Sequence, residues 1–177
     1  SRQYRRGQVA YGYLTAGTQV DHVSDCIRCE PGGVTDTLGD SGAVSCTRCA
    51  RGRYTTNSAI ECIGCPASRY VGSTGSDDVS DCHSCDPGGF TNTLTSAGAF
   101  SCTLCVAGRY SAVSTTACAS CPSGSVTDTL DVAGASSCTQ CSAGRYSADS
   151  KVDCRVCQAG SITDTLQGEG AVTCSGC

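Results

Sequence analysis

Eighteen cysteines fall, without exception, into nine Cys-x-x-Cys pairs, which begin at Cys26, Cys46, Cys62, Cys82, Cys102, Cys118, Cys138, Cys154 and Cys174. Thiols at this spacing have three chemistries open to them. They form structural disulfides in an oxidising compartment, bind zinc as thiolates, or work as one redox-active pair. A four-cysteine zinc site takes two pairs, and nine pairs do not divide by twos. A redox centre calls for one pair set apart by its surroundings, and no pair here differs in that way. His22 and His83 sit in different parts of the pattern, and no nucleophile elbow, phosphate loop or paired carboxylates accompany them. The expectation is a protein with no catalytic residue, no cofactor and no metal site, whose cysteines serve as cross-links.

Composition explains why cross-links are needed. Of 177 residues, 22 are Gly and only two are Phe, with no Trp and no Met, while Ser and Thr together fill about a quarter of the chain. So little apolar bulk cannot offset the entropy of ordering every residue. One residue in ten is Cys, a content typical of extracellular, disulfide-built domains. Net charge is −4, and the basic residues are spread out, which gives no footprint for nucleic acid. No apolar run reaches the roughly 20 residues of a membrane span. Residue 1 is Ser and no signal peptide is visible, so the chain reads as processed or as part of something longer.

The pairs are set by linkers of two kinds, each pair following the last by 20 or 16 residues. Four long linkers carry nearly one text: Pro31-Gly-Gly-Val-Thr-Asp-Thr-Leu38, Pro87-Gly-Gly-Phe-Thr-Asn-Thr-Leu94, Ser123-Gly-Ser-Val-Thr-Asp-Thr-Leu130 and Ala159-Gly-Ser-Ile-Thr-Asp-Thr-Leu166. Each ends on a Gly-Ala step, at Gly42, Gly98, Gly134 and Gly170. Three short linkers carry Gly-Arg-Tyr, at Gly52-Arg53-Tyr54, Gly108-Arg109-Tyr110 and Gly144-Arg145-Tyr146. The linker 66–81 is a hybrid, opening with Arg69-Tyr70 and ending Val79-Ser80-Asp81. Residues 10–25 echo it, but Arg6 and Val9 stand where a further pair is due. This divides the chain into an N-terminal arm with an incomplete first module, 1–25, and a tandem array, 26–177.

Within a module, Gly recurs three residues after the second Cys, where a turn with positive φ suits it. An apolar or aromatic residue always stands five after it: Val34, Tyr54, Tyr70, Phe90, Tyr110, Val126, Tyr146 and Ile162. A second apolar residue often stands two before the next pair, as at Val44, Ile60, Phe100, Val152 and Val172. These positions, one disulfide and the long-linker Leu make the expected module core. The alternation Val/Ile/Phe-Thr-Asp/Asn-Thr-Leu predicts the main strand. Asp36, Asp128 and Asp164, with Asn92 in their place in one copy, are expected to cap turns through their own backbone. The Tyr of each Arg-Tyr step is expected to pack on a disulfide, leaving Arg exposed.

The unit Cys-x-x-Cys-x-x-Gly-x-Tyr followed by Ser/Thr-Cys-x-x-Cys, as in Cys105 to Cys118 and Cys141 to Cys154, resembles the ephrin-receptor-like cysteine-rich repeat. It also resembles the first half of tumour-necrosis-factor-receptor modules, over residues 26–177. The resemblance implies that the second Cys of one pair bonds the first Cys of the next: Cys29–Cys46, Cys49–Cys62, Cys65–Cys82, Cys85–Cys102, Cys105–Cys118, Cys121–Cys138, Cys141–Cys154 and Cys157–Cys174. A competing scheme joins neighbouring pairs in blocks, first to first and second to second. The serial scheme leaves Cys26 and Cys177 open, as links to further chain or between subunits.

The fold class expected is therefore small disulfide-rich repeats: an elongated rod of short β-hairpins and loops, with no large hydrophobic core and essentially no helix. The function expected is that of a non-enzymatic extracellular structural protein of the cell surface or matrix, assembling head to tail into a fibre. A receptor or adhesion ectodomain with a protein or glycan ligand is the alternative. Partners would be further copies of the chain or other surface proteins. Neither Asn57 nor Asn92 begins an N-glycosylation sequon, whereas Ser and Thr in every linker are open to O-linked glycans.

Overall fold

The computed structural model describes Tyr13–Thr15 and residues 26–177. The N-terminal arm and incomplete first module expected over 1–25 therefore lie outside the described residues, apart from that short strand. Nine two-stranded antiparallel sheets follow one another along the chain, and no strand is shared between them. Tyr13–Thr15 pairs with Cys26–Arg28. The long linkers give three-residue hairpins: Gly33–Thr35 with Cys46–Arg48, Gly89–Thr91 with Cys102–Leu104, Ser125–Thr127 with Cys138–Gln140, and Ser161–Thr163 with Cys174–Gly176. Each Arg-Tyr step starts a two-residue hairpin, at Arg53–Tyr54, Arg69–Tyr70, Arg109–Tyr110 and Arg145–Tyr146. Among the described residues the one helical element is a single 3-10 turn, Val79–Asp81, in the hybrid linker.

Local chemistry sets each module. After the second Cys comes a tight turn: in the first module the Gly33 N–H donates to the Glu30 carbonyl at 3.0 Å. The third residue sits in the left-handed region, as Gly32 does at φ +71°, which is why glycine recurs there. In the long modules the strand is shorter than its alternating pattern predicts, stopping at Thr35, Thr91, Thr127 and Thr163. The following three residues turn instead, because the Leu38 N–H donates to the Thr35 carbonyl while the Thr35 hydroxyl donates to the Leu38 carbonyl. The turn forces Leu38, Leu94, Leu130 and Leu166 to φ of +50° to +56°. A left-handed leucine costs about 1–2 kcal/mol, so the Thr clasp and the hairpin must hold it there.

Val126 is buried where the apolar pattern places it, but elsewhere the core lies one residue along. Val44 is 69% exposed, Leu166 is 65% exposed, and Ile60, Phe100 and Val152 also face solvent. Buried instead is the residue six after the second Cys: Thr35, Thr55, Val71, Thr91, Ser111, Thr127, Ser147 and Thr163. Ala43, Ala99, Ala135 and Ala171 join them, with Cys49, Cys65, Cys82, Cys105 and Cys141. Modules this thin bring backbone against backbone, so only small side chains fit between. A hydroxyl is tolerated there because it meets a carbonyl, as the Thr127 hydroxyl meets the carbonyls of Leu130 and Ser150.

The chain divides into two compact units: one takes in residues up to Ser84 with Ser96–Ser101, the other Cys85–Thr95 with Cys102–Cys177. Within the first, the Gly75 N–H donates to the Cys49 carbonyl and the Gly98 N–H to the Cys65 carbonyl, both at 2.8 Å. The Thr55 N–H meets the Ser76 carbonyl, the Val71 N–H meets the Ala99 carbonyl, and Tyr54 packs on Cys65, Val71 and Cys82. Within the second, Gly134 donates to Cys105 and Gly170 to Cys141 in the same way, with Ser111 on Ala135 and Ser147 on Ala171. The same joint therefore recurs inside each unit.

Glycine makes that joint close. A Cβ on Gly124 would stand 1.8 Å from the Gly170 carbonyl oxygen, whereas one on Gly160, at a similar φ of +80°, would meet nothing within 4 Å. Gly160→Ala is thus expected to carry only the left-handed penalty, about 1 kcal/mol. Gly124→Ala should lose clearly more, because the backbone of the next-but-one module must move. Urea denaturation of the two variants, disulfides intact, checks this; equal losses would mean that the approach at Gly124 is not close.

Candidate functional site

The cysteines are the residues singled out for chemistry, and their pairing follows one serial order. Disulfides join Cys29 to Cys46, Cys49 to Cys62, Cys65 to Cys82, Cys85 to Cys102, Cys105 to Cys118, Cys121 to Cys138, Cys141 to Cys154 and Cys157 to Cys174. Their Cα separations are 5.6–5.8 Å, and they span 17 residues in the long modules and 13 in the short. Cys26, half-buried, and Cys177, exposed, carry free thiols. Among the described residues no group of three or more His, Cys, Asp or Glu is placed to hold a metal ion. His22 lies outside the described residues, and His83 is exposed, its ring edge-on to Tyr70 across the hairpin at 6.5 Å.

Closing a loop of about 15 residues is worth ~3 kcal/mol in the chain-entropy model. The paired substitution Cys105→Ser with Cys118→Ser should therefore destabilise its module by about that amount. Hydrogen exchange at Tyr110 and Ala119 would report it as faster local opening. Unchanged exchange would show that main-chain contacts carry the module without its cross-link.

The Arg-Tyr steps are organised by the same cross-links. The Nη1 atoms of Arg53, Arg69, Arg109 and Arg145 donate to the carbonyls of Cys62, Cys82, Cys118 and Cys154, at 2.8–3.2 Å. Each guanidinium is thereby held flat along its hairpin while remaining outside the core. The Tyr side chains are half-buried, and Tyr54 shows the packing in full, resting on the disulfide of the following module.

The aspartates of the long linkers act across the hairpin and not within their own turn. Asp36 accepts the Val44 N–H and the Ser45 hydroxyl; Asp128 accepts the N–H and hydroxyl of Ser136; Asp164 accepts the Val172 N–H. Each clamp thus spans eight or nine residues and pins the far end of the loop to its start. The Ser136 hydroxyl, with backbone N–H groups behind it, holds the Asp128 carboxyl below its ordinary value of 3.8. Partial desolvation pushes Asp36 the other way, but its hydrogen bonds from Val44 and Ser45 outweigh that and leave it lowered too.

A carboxylate with a depressed folded pKa stabilises above its unfolded pKa, and that stabilisation is lost as pH falls through the folded value. Asp128→Asn, which copies the natural Asn92, should therefore lower thermal stability at pH 6, and the loss should shrink as pH falls from 6 to 2. Melting curves of both proteins across that range test this, and a loss of undiminished size at low pH would place the effect in packing.

Residues 37–82, from the first long loop through the hybrid linker, match a family model described as tyrosine-protein kinase ephrin type A/B receptor-like. The matched stretch holds the serial bonds Cys49–Cys62 and Cys65–Cys82, and the same bond pattern runs on through the chain. Residues 37–82 are thus similar to the cysteine-rich ephrin-receptor-like repeat, and disulfide-closed modules of the same pattern follow in tandem. Ephrin-receptor-like repeats and dense disulfides are typical of extracellular domains, and this family and fold are of a non-enzymatic type. No curated protein matches the chain. Among the described residues no helix is long and apolar enough to cross a membrane.

The sixth-position hydroxyl was missed by a search for apolar periodicity. Its signal is nonetheless in the text: the residue there is Thr, Ser or Val in all eight modules. The Gly-Ala steps were visible, but their role as the docking loops of the joint was not.

Proposed function

We infer that these repeats form a structural protein of the cell surface or extracellular matrix, with no catalytic role, which joins head to tail into a fibre. The supporting observation is uniformity. Eight disulfides of one serial pairing and nearly equal Cα separation repeat along the chain, and the same main-chain joint recurs within each unit. A unit built this way extends by addition, since each module asks of the next only a Gly-Ala or similar small-residue loop. Cys177 is exposed and free, and it is the second Cys of its pair, the member that bonds onward everywhere else. In the fibre its thiol pairs with Cys26 of the next copy. Two thiols lose two protons and two electrons to an incoming disulfide oxidant, which is reduced to its dithiol, and one Sγ–Sγ bond forms.

Non-reducing electrophoresis of the oxidised protein is expected to give a ladder of multimers that collapses on reduction and in Cys177→Ser. A single monomer band from the oxidised wild type would overturn the covalent joint. Electron micrographs of native material separate the fibre from isolated particles.

A receptor or adhesion ectodomain is the second reading. It is favoured by the receptor-type family of the matched stretch, which includes the hybrid linker. Among the described linkers that one alone carries a 3-10 turn, capped by Asp78 and Asp81. O-linked glycans on exposed Ser and Thr are compatible with both readings.

A further inference from the structure

The four long modules repeat one structure and differ in what covers them. In three, a loop further along the chain sits on the end of the first strand. The N–H groups of Thr35, Thr91 and Thr127 donate to the carbonyls of Ser58, Ser114 and Ser150, each at 2.9 Å. The three Thr hydroxyls reach the same carbonyls at 3.2–3.4 Å. A second loop closes on the left-handed glycine, so that a Cβ on Gly32, Gly88 or Gly124 would collide with the carbonyl of Gly75, Gly134 or Gly170.

The module Cys157–Cys174 has the same residues without that cover. The Asp164 N–H donates to the Thr173 carbonyl and the Cys177 N–H to the Gly160 carbonyl. By the alternation of an antiparallel ladder, the Thr163 N–H therefore points away from its strand partner. Among the described residues nothing accepts it, although Thr163 is 2% exposed. A Cβ on Gly160 would meet nothing within 4 Å. Ile162 is 46% exposed where Val126 is 8% exposed, and Leu166 faces solvent where Leu38, Leu94 and Leu130 are half-buried. Features satisfied together in three copies are thus open together in the fourth. A donor of a buried residue left without an acceptor is unfavourable.

The covering loops share an origin. Each belongs to the ring closed by the pair-mate of the covered module's last cysteine, as Cys49–Cys62, Cys105–Cys118 and Cys141–Cys154. Cys177 is the counterpart of Cys49, Cys105 and Cys141, and its thiol is free. The other free thiol, Cys26, stands in the hairpin of Tyr13–Thr15 with Cys26–Arg28. Bonded to Cys177, that hairpin takes the place beside its module that Arg53–Tyr54 with Ile63–Gly64 holds beside the first long one.

We propose that the face formed by Gly160, Ile162, Thr163 and Leu166 docks the Tyr13–Thr15 and Cys26–Arg28 hairpin of a second copy of this chain, a main-chain carbonyl of that copy accepting the Thr163 N–H. Fit selects the partner: a narrow loop with an open carbonyl must enter beside a left-handed glycine, and this chain supplies such a loop to the other three copies of the face. The inference rests on the head-to-tail reading and adds to it a contact that does not depend on the thiols.

Two measurements separate the contact from the disulfide. In Cys177→Ser, which cannot be joined, NMR amide signals of Gly160–Leu166 are expected to shift saturably as concentration rises into the millimolar range. Exchange of the Thr163 amide should slow about tenfold as it gains an acceptor. The second uses oxidised glutathione, which takes up two electrons and leaves as two thiols when Cys177 and Cys26 join. Leu166→Asp, tolerated in left-handed backbone, should slow the formation of linked dimer about tenfold. Val132→Asp, at a similarly exposed residue of another module, should join as the wild type does. Linked dimers that form equally fast in Leu166→Asp, with Thr163 unprotected, would overturn the docking and leave the fibre standing. Protection of Thr163 without linked dimers would uphold the docking and remove the disulfide. Neither dimers nor protection would overturn both.

Discussion

A hydrogen bond between two main-chain groups holds one repeat to the next inside each unit: the glycine N–H of one module meets the carbonyl of a cysteine in the module before it, at 2.7–2.8 Å. The accepting residues, Cys49, Cys65, Cys105 and Cys141, are buried, and each is also a disulfide partner. Cross-link and stacking contact therefore meet at the same residue. Fixing the sulfur fixes the carbonyl, and the carbonyl fixes the loop of the following module. The remaining features serve that meeting point. Left-handed glycines let the backbones approach, alanines fill what space remains, and the threonine clasp shapes the long loop so that its far end arrives in register.

Such a joint explains a composition that looks too poor to fold. Hydrophobic burial is roughly proportional to area, and here, apart from Val71 and Val126, the buried side chains are Thr, Ser, Ala and Cys, each contributing little. Order comes instead from restricting the unfolded chain at each short interval and from satisfying backbone groups locally. Large apolar residues are free to stand outside, as Val44 and Leu104 do. Arg51, lying over the Phe100 ring at 5.4 Å, shows that such residues still find surface partners.

The sequence was most legible where a residue type has only one physical use. Paired cysteines at constant intervals, with glycine at the third position, announced cross-linked repeats and their turns. Prediction was weaker where packing decides between residues of similar character. Val-Thr-Asp-Thr-Leu reads as a strand by alternation, yet a Thr hydroxyl reaching the Leu carbonyl bends it after the first Thr. The usual preference for apolar cores pointed to Val34 and Val44, when the space between modules admits only Thr35 and Ala43. The aspartate clamps were expected in their own turns because sequence shows nearest neighbours first, whereas the partners lie eight or nine residues on. The bare face around Thr163 could not be read at all, since the loops that cover its counterparts lie 23 residues further along and meet them only through stacking.

The order of the bonds has a topological consequence. Every linker between Cys29 and Cys174 lies inside a closed covalent ring, so a single cut there leaves both halves attached. Between Cys29 and Cys174 the chain is a lone thread only across the two residues that separate one ring from the next, such as Thr47-Arg48, Thr103-Leu104 and Arg155-Val156. A protease acting after Arg53 or Arg109 opens a ring, while one acting after Arg48 or Arg155 parts the molecule. These spacers lie in hairpin strands, where extended pairing opposes entry to a cleaving enzyme. Continuity from Cys29 to Cys174 thus depends on seven dipeptides, and the linkers between them can be nicked without loss of continuity.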